Sequence, residues 1–201
     1  ALSNDNDFLK YINIPSWIDF ILLNEVFKNN DTFFSSTYLH KRTDDKLYAG
    51  PIWDYNISFG NINYNNNWLS EGWIETNNFW TPKLLEDSKF YKTLQIRWKN
   101  LRNKQFSDDA VIAIIDSLVN DLDEPQQRNF VKWPILGEYV WPNHFIGSNY
   151  LEEIEYLTSW VQSRFSWIDD QFMNFEMKYP IINEINYHSS NDFNSEDWVE
   201  L

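Results

Sequence analysis

The order of apolar and polar positions predicts a mostly helical chain interrupted once by β-structure. Pro15-Ser16-Trp17-Ile18-Asp19 reads as a helix start, with Ser16 placed to cap free backbone N–H groups and Asp19 favouring the positive end. Ile18, Ile21, Leu22 and Val26 follow at helical spacing and predict a helix over 16–29 that stops near Asn29-Asn30. Phe33 to Lys41 and Leu47 to Trp53 then read as two strands around the polar turn Arg42-Thr43-Asp44-Asp45-Lys46, a hairpin whose regular pairing ends at Pro51 and Asp54. Residues 56–81 are rich in Asn and Trp, lack a clean period and predict a long irregular loop, which in a compact domain is more often functional than idle.

Helical patterns resume at Thr81-Pro82, where Pro suits a first turn, and run to Leu85. Further helices are predicted over Ser88–Asn103, with Phe90, Leu94 and Trp98 on one face, over Ser107–Leu122, and over 123–133. The Pro- and Gly-bearing segment 134–149 predicts a loop. Tyr150 to Phe172 predicts a long amphipathic helix with Ile154, Leu157, Val161, Phe165 and Ile168 inward. Its acidic run Glu152-Glu153-Glu155 is expected to be a solvated helix start. After Pro180, residues 181–185 and 198–201 read as two strands, which alone are marginal in water. The expected class is mainly α with a small hairpin, α+β.

Composition narrows the chemistry. At 201 residues the chain holds one ordinary domain, or one domain plus part of another, and its 43% hydrophobic and 18% aromatic content is ample for a core. A formal charge of −14 argues against nucleic-acid phosphates as partners. Without cysteine there is no disulfide framework or thiolate nucleophile, and 3 scattered His make a His-rich metal site a poor expectation. With 5 Gly there is no glycine-rich phosphate loop, and no run of about 18 apolar residues predicts a membrane span. The start Ala-Leu-Ser suggests a piece of a longer protein, in which case the charge describes the piece.

Two acidic residues stand out by position. Asp31 follows the first helix and Asp54 ends the hairpin, whose far end folds back toward its start. Carboxylates at that base suit a divalent cation, or a metal ligand beside a proton acceptor. The plainer alternative, favoured on spacing alone, is that Asp31 turns the chain and Asp54 sits in a loop.

Several blocks carry a resemblance. Asn24-Glu25-Val26-Phe27-Lys28-Asn29-Asn30-Asp31, Ser36-Thr37-Tyr38-Leu39-His40-Lys41, Ala49-Gly50-Pro51-Ile52-Trp53-Asp54-Tyr55-Asn56 and Phe59-Gly60-Asn61 come in order, followed by Arg128-Asn129-Phe130, Trp133-Pro134-Ile135-Leu136-Gly137, Tyr139-Val140-Trp141-Pro142 and the helix from Glu153 to Asp169. Over roughly residues 8–173 the chain resembles the spore coat protein H (CotH) kinase family, atypical kinases of Ser/Thr on secreted or spore-coat proteins. The resemblance implies an atypical kinase fold in which ATP and Mg²⁺ or another divalent cation lie at the hairpin base. Asp31 is then the catalytic-loop Asp, and Asp54 holds the metal, with Ser36 and Asn56 helping. It also implies an extracellular, cell-surface or spore-surface location and a protein substrate.

Two positions depart from the pattern. Ser36 stands where a kinase catalytic loop has a metal-binding Asn, and Asn56 stands where the family has a second Asp, which lowers the charge of the site. No segment before residue 16 supplies a Lys–Glu pair and covering loop, so residues 1–175 read as a C-terminal lobe expected to be inactive alone. Residues 176–201, with Ile182-Asn183-Glu184-Ile185-Asn186-Tyr187 and Asp197-Trp198-Val199-Glu200-Leu201, resemble the opening of a lamin-tail-like β-sandwich, the alternative being a terminal hairpin packed on the helices. Two other readings stay open: a non-catalytic pseudokinase surface or adhesion module, and a carbohydrate-associated module. For the latter, Trp68, Trp73 and Trp80 are the surface candidates, while Trp53, Trp98, Trp160 and Trp167 read as core.

Overall fold

The computed structural model describes residues 6–32, 35–74, 80–173, 184–186 and 198–200. A 3-10 turn over Asn6–Lys10 leads into helix α1, Ile14–Val26, and then into an antiparallel hairpin of β1, Leu39–Lys41, and β2, Leu47–Ala49. Helices α2 (Thr81–Glu86), α3 (Ser88–Arg102), α4 (Asp108–Asp121), α5 (Asp123–Lys132) and α6 (Tyr150–Met173) follow, and the short strands β3 (Glu184–Asn186) and β4 (Trp198–Glu200) pair antiparallel as a separate ribbon. The fold is α+β, mainly helical, as the sequence pattern predicts. No described helix is long and apolar enough to cross a membrane.

Helix α1 is the centre of the core. Its Trp17, Ile18, Ile21, Leu22 and Val26 are buried together with Phe90, Leu94 and Trp98 of α3 and Val161, Phe165 and Ile168 of α6. Burying a large apolar side chain stabilises by about 1.5–3 kcal/mol, so this three-helix contact is the main source of stability. A polar lock joins α3 and α6: Asp169 accepts the Trp98 indole N–H at 2.8 Å and the Arg102 Nε–H at 2.9 Å.

Both ends of α1 differ in detail from the sequence reading. The cap is Asn13, whose Oδ1 accepts the Ser16 N–H at 3.0 Å, while the Ser16 hydroxyl donates to the Asn13 carbonyl. Asp19 pairs with Arg97 of α3 at 2.8 Å, on the surface, where such a pair contributes little. The helix stops three residues before Asn29, because Lys28 takes a left-handed φ of 47°. The Asn29 N–H then returns to the Asn24 carbonyl at 2.9 Å and the Lys28 N–H to the Glu25 carbonyl at 3.3 Å, the pairing that ends a helix on a left-handed residue.

The hairpin is shorter than predicted. Regular pairing covers Leu39↔Ala49, His40↔Tyr48 and Lys41↔Leu47, and the predicted strand residues Phe33 and Phe34 lie outside the described residues. It is pinned to the start of α1. The Leu47 carbonyl accepts the Asn13 N–H at 2.9 Å and the Trp17 indole at 3.1 Å, and the Leu47 N–H donates to the Tyr11 carbonyl at 2.8 Å.

The other helices match the pattern closely, and all but α5 carry a capping side chain or an early proline at their start. Asp87 caps α3 by accepting the Lys89 and Phe90 N–H groups, and Ser107 caps α4 by accepting the Ala110 N–H. At α6 the acidic run does more than sit in solvent. Glu152 accepts the Ser148 N–H at 2.8 Å and Glu153 accepts the Gly147 N–H at 2.7 Å, tying the preceding loop to the helix. Along α6, Val161, Phe165 and Ile168 are buried, whereas Ile154 and Leu157 are half-buried. Neither α4 nor α5 contains a buried residue. Val111, Ile112 and Ile115 face α6, while Ile114 and Leu118 stay more than half exposed.

Gly60 marks the closest backbone approach. It has φ 77°, and a Cβ there would lie 2.0 Å from Trp160 Nε1. Gly72 shares that φ but has open space around the same position. Gly72→Ala is expected to cost about 1 kcal/mol for its left-handed backbone. Gly60→Ala is expected to cost about 3 kcal/mol, because the clash adds to that backbone term. Urea unfolding of both variants checks this, and equal losses would show that Trp160 yields freely.

Candidate active site at the hairpin base

The base of the hairpin is assembled by one buried amide. Asn24 sits in the last turn of α1, and its Oδ1 accepts three donors: the Thr32 hydroxyl at 2.7 Å, the Tyr55 hydroxyl at 2.9 Å and the Asn29 amide at 3.2 Å. Its own Nδ2 donates to the Phe20 carbonyl at 2.7 Å. Three chain segments therefore converge on a single side chain: the helix, the turn that carries Asp31, and the loop that carries Asp54. Two further bonds join the turn to the loop, from Asn29 Nδ2 to the Trp53 carbonyl and from the Asn30 N–H to the Ile57 carbonyl, both at 3.3 Å.

Asp31 and Ser36 share one turn. The Asp31 carbonyl accepts the N–H groups of Ser35 at 3.1 Å and Ser36 at 3.2 Å. Asp54 lies on the facing loop, exposed, with a left-handed φ of 55°. A non-glycine residue held there stores about 1 kcal/mol, the kind of strain that collects at functional sites. Asn56 is exposed on the same loop. Asp31 and Ser36 are thus placed on one segment and Asp54 and Asn56 on its neighbour. Among the described residues no group of three or more His, Cys, Asp or Glu side chains is close enough to hold a metal by itself.

The sequence reading placed Trp53 in the core, but it is 55% exposed and meets Tyr38 edge to face at 5.9 Å. Trp98 and Trp160 are buried and Trp167 is half-buried. The three loop indoles act as anchors. Trp68 stacks on His144 at 4.9 Å, Trp73 packs on Trp167 and Phe172, and Trp80 meets Trp17 at 5.9 Å.

The irregular loop reaches the site from below. Asn67 donates to the Asn30 side chain, and the Tyr64 phenol is pushed above its ordinary value, first by burial and then by the neighbouring Asp31 charge. The loop is gripped by two cations that bond to its backbone. Lys28 Nζ donates to the carbonyls of Leu69 at 2.8 Å and Glu71 at 2.5 Å. Arg164 of α6 is fully buried. Its guanidinium donates to the carbonyls of Ser70 and Gly72 at 2.7 and 2.6 Å, and to Glu25 and Val26 at the end of α1 at 2.8 and 3.3 Å.

Glu25 completes this buried set. Its Oε2 accepts the Ile74 N–H at 2.9 Å and lies 3.9 Å from the guanidinium, while its Oε1 has no partner. Burial pushes the Glu25 carboxyl up to about 8, against the pull of Arg164. Burial and then the Arg164 charge push the Lys28 ammonium down to about 8. Asn24, Glu25, Lys28 and Arg164 were not singled out as functional from sequence. Asn24, Glu25 and Lys28 fall in the first block that carries the resemblance, and Arg164 is a charged residue within the apolar pattern of α6.

A family model described as CotH kinase protein matches residues 3–168. No curated protein and no solved structure matches the chain.

Two outcomes follow from this geometry. Asn24→Ala leaves the Thr32, Tyr55 and Asn29 donors short of an acceptor and is expected to cost about 2–4 kcal/mol by chemical denaturation; a loss below 0.5 kcal/mol, roughly the level of a neutral surface change, would show that the three segments hold without it. For Glu25, the unfolded chain releases a proton between pH 4.5 and about 8 that the folded chain still holds. The stability from this burial is therefore complete below 4.5 and is lost as pH rises through about 8. Relative to Glu25→Gln, the wild-type chain should lose a few kcal/mol across that window. Thermal denaturation at a series of pH values reads the difference, and a pH-independent gap would contradict the burial effect.

Proposed function

The chain belongs to the CotH kinase protein family, whose model covers residues 3–168, and from that premise we propose that residues 1–175 are the C-terminal lobe of a protein kinase. The reaction is transfer of the ATP γ-phosphate to a Ser or Thr hydroxyl of a secreted or spore-coat protein. The observation that carries this reading is the closed base of the hairpin, where Asn29 and Asn30 bond the Asp31 turn to the Asp54 loop. Residues 176–201 are proposed as the start of a lamin-tail-like domain. The β3–β4 ribbon supports this, while Ile181, Ile182, Asn183 and Leu201 lie outside the described residues.

The residues suit a hard divalent cation. Asp54 offers an exposed carboxylate, with Ser36 and Asn56 as oxygen donors and no thiol or imidazole in the set. This matches Mg²⁺, which takes one or two carboxylates and fills its other positions with phosphate oxygens and water. When bound, the cation supplies neutralisation of phosphate charge.

Asp31 orients the substrate hydroxyl and accepts its proton at a carboxylate oxygen. The hydroxyl oxygen forms its bond to the γ-phosphorus while the bond to the bridging oxygen breaks and ADP leaves with that electron pair. The Asn24 hub keeps the turn and the loop from separating, so the contribution of these residues is positioning.

The departures at Ser36 and Asn56 favour a second reading, a pseudokinase that keeps the fold without transfer. A radiolabel assay on the longer protein separates the two. Kinase activity predicts transfer that falls at least ~100-fold in Asp31→Asn and nucleotide binding that is lost in Asp54→Ala, with no transfer by the 201-residue chain alone. Transfer that survives Asp31→Asn overturns the assignment, and nucleotide binding indifferent to Asp54 points to the pseudokinase.

A further inference from the structure

Between α5 and α6 the chain turns two aromatic side chains outward. Tyr139 is 55% exposed and Trp141 is 67% exposed, so both rings meet solvent instead of the core. Spaced two apart, they reach the same pair of residues on the irregular loop. Asn63 Nδ2 donates to the Tyr139 hydroxyl at 2.8 Å, and the half-buried Tyr64 ring runs nearly parallel to Trp141, with centroids 6.3 Å apart and 15° between the planes. The two rings therefore belong to one surface.

That surface is held from behind. The Asn63 N–H donates to the Pro142 carbonyl at 2.8 Å, and Asn61 Oδ1 accepts the His144 and Phe145 N–H groups, both at 2.9 Å. Phe145 stacks on Tyr156 of α6 at 4.4 Å. Aromatic side chains fixed in this way give a large contact area and lose little freedom on binding.

The polar tips of the rings select the ligand class. The Tyr139 oxygen already accepts from Asn63, which leaves its O–H to donate. The Trp141 indole N–H can only donate, and among the described residues it makes no hydrogen bond. The surface thus offers flat apolar faces bordered by donors. A proline-rich segment is the complement of such a surface. It brings rings for the faces, and its main chain carries carbonyl acceptors without the proline N–H. Its extended left-handed helix is formed before binding and leaves those carbonyls without internal partners.

Position also favours a polypeptide. The Asn67 N–H returns to the Tyr64 carbonyl at 3.2 Å, and the Asn67 side chain donates to Asn30, the neighbour of Asp31. The platform therefore adjoins the turn to which, on the kinase reading, a protein substrate is brought.

We propose that Tyr139 and Trp141 form a docking site for a proline-rich segment of a protein partner, which lays proline rings on Trp141 and gives carbonyls to the Tyr139 O–H and the Trp141 N–H. That this partner is the substrate rests on the kinase reading, whereas the docking does not.

Decaproline is the probe, with a Gly-Ser decapeptide as the comparator that keeps the carbonyls and lacks the rings. Both are uncharged along the chain, which sets aside attraction to a protein of formal charge −14. Titration of the 201-residue chain is followed by NMR through the Trp141 indole and Asn63 side-chain amide signals. Saturable shifts are expected with decaproline, and affinity about ten-fold or more weaker for the Gly-Ser peptide. Trp141→Ala should lower decaproline affinity by about thirty-fold, as for a central aromatic contact. Tyr139→Phe should lower it about five-fold, the worth of one neutral hydrogen bond. Both side chains are exposed, so both variants keep the fold. Decaproline carries no hydroxyl, so its binding is read whether or not the chain transfers phosphate. Non-saturable shifts, equal affinities for the two peptides, or an affinity unchanged in Trp141→Ala overturn the proposal. Saturable binding of cellohexaose that is lost in Trp141→Ala, without binding of decaproline, overturns it in favour of a sugar surface.

Discussion

The framework beneath the hairpin base depends on how one buried cation is satisfied. The Arg164 guanidinium is fully buried on α6 and stands 3.9 Å from its nearest carboxylate, too far for a hydrogen bond. Its donors go instead to four backbone carbonyls. Two of these belong to the last turn of α1, where carbonyls have no partner within the helix and carry its negative end. The other two belong to the loop. The planar, permanently charged guanidinium is the group that can serve several acceptors at once, and Trp167 stacks against it at 4.8 Å. A charge that costs several kcal/mol to bury is thereby used to fix three elements together, and losing any acceptor would leave it uncompensated.

Lys28 repeats the arrangement one turn away. It ends α1 in a left-handed conformation that an L-residue adopts at a cost of about 1 kcal/mol. Its ammonium bonds to two more loop carbonyls, which offsets that cost. The same conformation lets the chain reverse at once into Asn29 and Asp31. Helix end, loop anchor and site entrance are therefore one local event, and the Asn24 hub closes it from the other side.

Much of the fold is legible in the sequence because it is local. Helices α2, α3, α4 and α6 begin at residues that cap them or at an early proline, and the ends of all five later helices fall within a residue or two of those predicted. The hairpin turn is legible for the same reason. At α1 the competing cap Asn13 lies outside the Pro15-Ser16 signal, and the left-handed Lys28 carries no glycine to announce it, so both boundaries shift. That the turn carrying Asp31 adjoins the loop carrying Asp54 could be inferred from order along the chain, but the bonds that join the two segments could not. The Asn24 and Arg164 contacts join residues that periodicity never compares. Trp53 misled because a tryptophan next to an aspartate at a motif is read as core, whereas here its carbonyl is the part that is used.

A loop gripped by its main chain has a freedom that a loop gripped by side chains lacks. Arg164 and Lys28 recognise only the carbonyls of residues 69–72, and Leu69, Glu71 and Gly72 are exposed. Any L-residue whose backbone can follow the same path offers the same oxygen at Leu69 or Glu71. The anchor is therefore blind to the identity of what it holds. The rim beside the site can be rewritten for a new partner, one side chain at a time, while the framework beneath it stays unchanged.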